Sequence, residues 1–158
     1  MKLIFIDIDG VLATAPCWHM SKNNIWNAYP FDKKAVKVLN EILEKTGAEM
    51  VLSSDWKFHY DLDQIKSIFS DFNKVIKVPF DTTPKLPTPN GSDLEVGRVG
   101  EINLWLTDNK EKLGVTHWVA VDDLNMSEGL TNFVHCPREM EGIKQKGIKE
   151  KIIKFLND

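Results

Sequence analysis

The sequence predicts a three-layer α/β fold, a mainly parallel sheet with helices on both faces, formed as one domain over residues 1–158. Three observations lead there. Short apolar strands alternate with amphipathic helices, the pattern of βαβ units. The strands read as continuous aliphatic runs rather than alternating ones, as strands buried on both faces do. Three of them end in polar or acidic residues, at Asp7, Ser53 and Asp122. In such sheets ligands bind beyond the C-terminal strand ends, so these three positions share one predicted edge.

Lys2 to Ile6 is the first strand, broken by Asp-Ile-Asp-Gly. From Asp32 to Lys45, Val36, Leu39 and Leu43 recur at helical spacing, and Gly47 supplies a C-terminal cap. Ala48 to Leu52 is a second strand, running into Ser53-Ser54-Asp55, so strand, helix and strand form a parallel crossover. Asp61 to Phe69 reads as helix and Val75 to Val78 as a further strand. Pro79 to Gly97, with Pro79, Pro84, Pro87, Pro89 and an Asn90-Gly91 turn signal, is expected to be a long loop. A helix over Arg98 to Lys112 and a strand over Thr116 to Val121 follow, the strand ending in Asp122-Asp123. Asn132 to Cys136 adds a strand, and Glu139 to Leu156 a last amphipathic helix.

A length of 158 residues is enough for one core without disulfides or structural metals. With 42% hydrophobic and 27% charged residues the composition is that of a globular chain, which excludes a disordered one. The formal net charge of -3 gives no global footprint for binding polyanions. Cys17 and Cys136 lie far apart without metal spacing and are expected to be reduced thiols of a cytoplasmic protein. The opening apolar run meets two aspartates at once and is too brief for a signal-peptide core or a membrane span. No obligate protein partner is evident.

Asp7 and Asp9 flank the end of the first strand, where the chain turns at Gly10. Taken alone, such a pair serves as well to cap backbone amides. Clustered with Asp122 and Asp123, however, these carboxylates repel one another and favour a hard cation with oxygen ligands, of which Mg²⁺ fits best. The cation also aligns a phosphate for in-line attack by a carboxylate, so the suggested chemistry is phosphoryl transfer.

DIDGVL (Asp7 to Leu12), VLSS (Val51 to Ser54) and VAVDD (Val119 to Asp123) resemble, in order, spacing and strand context, motifs of the haloacid dehalogenase (HAD) superfamily. The resemblance covers about three quarters of the chain. It implies a Rossmann-like sheet, Asp7 as the phosphorylated nucleophile, Asp9 as general acid then base, and Ser53 as a donor to the phosphoryl group. It also implies Mg²⁺ held by Asp7, Asp9, Asp122 and Asp123, with Gly10 and Ser54 beside the substrate. Of the two serines, Ser53 is preferred as the phosphate contact.

These enzymes also need a cation on the phosphoryl oxygens. Arg98 is preferred because it is expected to open the helix before the Asp122 strand and offers a bidentate guanidinium. Lys85 in the Pro-rich loop is the competitor. FDKKAVKVLNEILEKTGAEMVLSSDWK (Phe31 to Lys57), with RVGEINLWL (Arg98 to Leu106) before VAVDD, further resembles a compact branch of HAD domains from bacterial and phage proteins, some linked to RNA repair. Members of that branch often carry Trp-Arg where this chain has Trp56-Lys57, a departure that weakens any choice of substrate.

Asp9 to Asp32 leaves room for a flap but no folded cap, so an open site is expected. Candidate substrates are nucleotides, nucleic-acid ends, sugar phosphates and phosphoproteins. Trp105 and Trp118 are expected in the core, and Trp18, Trp26 and Trp56 near the entrance. His19, His59, His117 and His135 show no ligand spacing. Two rival readings are a receiver-like phosphate-binding module, which has no use for an acid at Asp9, and a phosphotransferase to an acceptor other than water.

Overall fold

A computed structural model of the chain describes residues 1–22, 24, 26–87 and 93–158. Five parallel strands, β1 (Lys2–Ile6), β2 (Glu49–Leu52), β3 (Asp81–Thr82), β4 (His117–Asp122) and β5 (Phe133–His135), form one sheet in the order β3-β2-β1-β4-β5. From β1 the chain winds outward through β2 to β3, then returns to place β4 on the other side of β1. The strand order reverses between β1 and β4, where an open α/β sheet has its crevice.

Alternate residues of the strands point to opposite faces, and both faces are covered. Ile4, Ile6, Met50, Leu52, Val119 and Val121 meet α1 (Lys33–Thr46), α2 (Leu62–Ser67) and α4 (Ile148–Asn157) through Leu39, Ile65 and Ile152. Leu3, Phe5, Val51 and Ala120 meet α3 (Leu94–Asn109) through Ile102, Trp105 and Leu106. This double burial is why the strands read as unbroken apolar runs. Trp105 of α3 is buried in this cluster, edge-on to Phe5 at 5.3 Å, whereas Trp118, edge-on to Phe5 at 5.9 Å, is half-buried and packs against the cluster from its margin.

Local chemistry sets the helix ends. Asp32 accepts hydrogen bonds from Lys34 N and Ala35 N at the start of α1, and Gly47 closes it at φ 68°. Asp61 and Gln64 form a reciprocal capping box on α2, which continues into a single wider turn over Ile68–Phe72.

Four expectations change. Val75 to Val78 is no strand: Asn40 caps that segment with its amide, bonding Lys74 O and Ile76 N, while Phe80 N and Thr83 N take up the pairing with β2. The segment from Pro79 to Gly97 is not all loop, since it holds β3 and the first turn of α3. The Asn90-Gly91 turn and Pro89 lie outside the described residues. Arg98 therefore sits inside α3 rather than opening it. The helix expected over Glu139 to Leu156 is split into a 3-10 turn at Gly142–Lys144 and α4. Gly142 is left-handed (φ 58°), and a Cβ there would stand 2.3 Å from Val11 O, so the chain must break its helix to pack against the loop after β1.

Among the described residues, the connection from β1 to α1 holds one 3-10 turn, Ala15–His19, and no folded cap. Among the described residues, no helix is long and apolar enough to cross a membrane. Both cysteines are free and buried.

Candidate active site

Backbone pairing delivers the site. Asp7 N donates to Val121 O at 3.1 Å and Ser53 N to Ile6 O at 2.9 Å, so the residue just past each strand stays in register with its neighbour. Asp7, Ser53 and Asp122 are thereby fixed in adjacent, buried positions at one sheet edge.

Asp7, Asp122 and Asp123 turn one carboxylate oxygen each to a common point, all within 4.8 Å of one another. Gly10, at φ 75°, makes this possible: a Cβ there would lie 2.6 Å from Asp123 Oδ2. Burial, and then the charge of Asp122, push the Asp7 carboxyl well above the ordinary aspartate range, against the pull of Arg98. Burial also raises Asp122, with Arg98 again opposing. A nucleophilic carboxylate must be ionised, so Arg98 alone leaves this trio short of positive charge. An all-oxygen donor set with a charge deficit fits a hard divalent cation.

Arg98 reaches in from α3. Its Nη1 donates to Asp122 Oδ2 at 2.8 Å and lies 3.3 Å from Asp7 Oδ1, while Nη2 donates to Asp55 Oδ1 at 3.0 Å. Lys85 is exposed, its ammonium 5.9 Å from the centre of the Phe58 ring.

The two serines divide. Ser54 Oγ accepts from Trp56 N at 3.3 Å and caps the 3-10 turn Asp55–Phe58. Ser53 Oγ is buried and, among the described residues, has no hydrogen-bond partner. A buried hydroxyl without a partner costs stability, and a phosphoryl oxygen would satisfy it.

Asp9 stands outside the carboxylate trio. The Tyr29 hydroxyl donates to its Oδ1, and Trp56 Nε1 donates to its Oδ2 at 3.1 Å. Tyr29 and Trp56 also meet edge to face at 5.1 Å. Burial and the bond to Asp9 push the Tyr29 phenol far above its ordinary value, so it stays a donor.

The Trp56-Lys57 pair faces two ways. Lys57, 2% exposed, ion-pairs with Glu101 of α3 and donates to Thr83 Oγ1 at 2.9 Å. Burial lowers the Lys57 ammonium, and Glu101 opposes that shift. Trp56 thus holds Asp9, whereas Lys57 ties the turn after β2 to the helix that carries Arg98. Trp18 donates to Ala13 O at 3.0 Å and packs with Trp26 against the core. His135 Nε2 lies 2.8 Å from Asp123 O.

Sequence reasoning missed Tyr29, Asp55, Lys57 and Glu101. Asp55 and Lys57 adjoin the serines in sequence, a signal that was there to use. Tyr29 lies in a flap without periodicity, and nothing in its spacing relates it to Asp9.

No curated protein and no solved structure matches the chain. The profile describing the HAD domain in Swiss Army Knife RNA repair proteins matches residues 3–147. The three motif-bearing strand ends and α3 all fall inside that match. The chain therefore belongs to the family of HAD domains found in Swiss Army Knife RNA repair proteins.

Proposed function

We propose that the protein is a Mg²⁺-dependent phosphomonoester hydrolase working through an aspartyl-phosphate on Asp7. The observation that carries this reading is the trio of Asp7, Asp122 and Asp123, the first two buried and the third half-buried, with Arg98 laid across the buried pair. Family membership supports a phosphatase-type function in general.

In this reading Asp7 attacks phosphorus, forming an acyl-phosphate bond as the bond to the ester oxygen breaks. Asp9, held off the trio by Tyr29 and Trp56, gives its proton to the departing alcohol oxygen. Asp9 then takes a proton from water, which attacks the same phosphorus, releases inorganic phosphate and restores the Asp7 carboxylate. Arg98 and Ser53 Oγ hold phosphoryl oxygens where charge develops. Mg²⁺ bound by Asp7, Asp122 and Asp123 would supply the charge that keeps Asp7 ionised and offsets its repulsion of the phosphate. The substrate is a phosphate monoester, with nucleotides and nucleic-acid ends among the candidates. An acid placed as Asp9 is favours hydrolysis over a receiver-like role.

Release of inorganic phosphate from a panel of monoesters tests the proposal. Activity lost to EDTA, restored by Mg²⁺ and absent from Asp7→Asn protein supports it. Undiminished turnover after chelation, or in the Asp7→Asn variant, would overturn it.

A further inference from the structure

Attack by Asp7 drives the ester oxygen out on the far side of phosphorus, and the acid that protonates it must touch it. Resting on the proposed roles of Asp7 and Asp9, this locates the leaving alcohol: its carbon skeleton begins within hydrogen-bond reach of Asp9.

A cleft of about 260 Å³ has Asp9 in its wall. Lys22, Asn27, Ala28 and Tyr29 line it together with the turn after β2. Tyr29, Trp56 and Tyr60 form an aromatic side, with Trp56 and Tyr60 tilted at 44° and 5.6 Å between ring centres. Lys22 and His59 stand on the exposed rim. The indole nitrogen of Trp56 and the hydroxyl of Tyr29 are committed to Asp9. Among the described residues, the side chains of Lys22, His59 and Tyr60 make no hydrogen bond to the rest of the chain, so their donors are free for a ligand.

We infer that this cleft is the leaving-group subsite and that it takes a nucleoside, with the base against the aromatic side and Lys22 and His59 at its polar edge. A lone ribose can set only a small C–H patch against an aromatic wall. A base offers a π face to such a wall and polar atoms along its edge to the rim. Tyr60 and His59 are then specificity residues, whereas Tyr29 and Trp56 are tied to the acid.

Ribose 5-phosphate and adenosine 5′-monophosphate share one leaving oxygen and differ by the base, so their kcat/KM ratio reads the subsite directly. Adenosine 3′-monophosphate is assayed alongside, and the better nucleotide is compared. The expected preference for the nucleotide is about 10-fold or more, the scale of one base stacked on an aromatic side chain. Tyr60→Ala and His59→Ala should shrink it, mainly through KM, and Tyr60→Phe should keep it. A ratio near one in the unaltered protein, or a ratio that neither substitution moves, overturns the inference while leaving the phosphatase reading intact. If no ester is hydrolysed, the phosphatase reading fails separately. Calorimetric binding of adenosine monophosphate to Asp7→Asn protein then decides the subsite: binding weakened by Tyr60→Ala supports it, and no binding overturns it.

Discussion

Arg98 Nη1 donates to Asp122 Oδ2 at 2.8 Å and by the same nitrogen lies 3.3 Å from Asp7 Oδ1, so one guanidinium spans the ends of β1 and β4. Two acids that repel each other across the crevice are held by a cation from a third element. Asp122 raises Asp7, and Arg98 is the chain's own counterweight to both.

Arg98→Ala should therefore slow turnover by about 10²-fold or more, the scale of losing one preorganised donor to the transition state. Arg98→Lys should recover part of the rate, since charge returns without the fork. Lys85→Ala should leave kcat within about 2-fold, on the smaller scale of an exposed charge. Steady-state kinetics on one monoester checks all three, and a crippling Lys85→Ala beside a harmless Arg98→Ala would move the phosphate-holding cation to the loop.

Tyr29→Phe removes one of the two donors that aim Asp9. The loss should depend on the leaving group, because p-nitrophenolate departs without help whereas an alkoxide needs its proton. The first step of alkyl phosphate turnover should slow by about 10-fold more than that of p-nitrophenyl phosphate, within the span that general acid catalysis contributes. Single-turnover kinetics measures this, and equal slowing of both esters would mean that Tyr29 only supports the fold.

The strand ends were legible in the sequence because a buried parallel strand is an apolar run, and the residue that breaks it is the one exposed to the crevice. Asp7, Ser53 and Asp122 followed from that alone. The contacts of Asp9 were not legible: Tyr29 and Trp56 lie 20 and 47 residues away along the chain. Val75 to Val78 has strand composition yet forms no strand, because the side chain of Asn40 bonds Lys74 O and Ile76 N. The last helix is shorter than its side-chain periodicity suggests, because that periodicity runs through Gly142 and Gly147, both left-handed.

Lys57 and Glu101 form an ion pair buried on both sides, with exposures of 1% and 8% for the side chains. Lys57→Ala leaves Glu101 charged and unpaired, and should cost about 3–5 kcal/mol of stability in a denaturant titration. Lys57→Met combined with Glu101→Leu should cost much less, since neither charge is then stranded. A double variant no more stable than Lys57→Ala would show that the pair itself, not its symmetry, is required.

Asp32 caps α1 and accepts a 2.6 Å bond from Lys144. Burial works to raise its carboxyl, but the bonds from Lys144, Ala35 and Thr14 outweigh that and hold it below the ordinary value. A depressed folded pKa means the stabilisation is present above the unfolded pKa and is lost as pH falls through the folded one. Asp32→Asn should therefore flatten the fall of melting temperature below about pH 4 relative to the unaltered protein. Asp32→Ala should cost about 1 kcal/mol near neutrality through the lost cap. An acid limb unchanged in Asp32→Asn would remove Asp32 from the account of acid stability.

The most direct test concerns Asp7 itself and uses Asp9→Asn protein with p-nitrophenyl phosphate. That ester phosphorylates Asp7 without an acid, while the missing base at position 9 delays attack by water, so the covalent species should accumulate. Acid quenching and peptide mapping by mass spectrometry should then find one phosphoryl group, on Asp7, in step with a burst of p-nitrophenol. A burst with the phosphoryl group on another residue, or with none on the protein, would contradict the account.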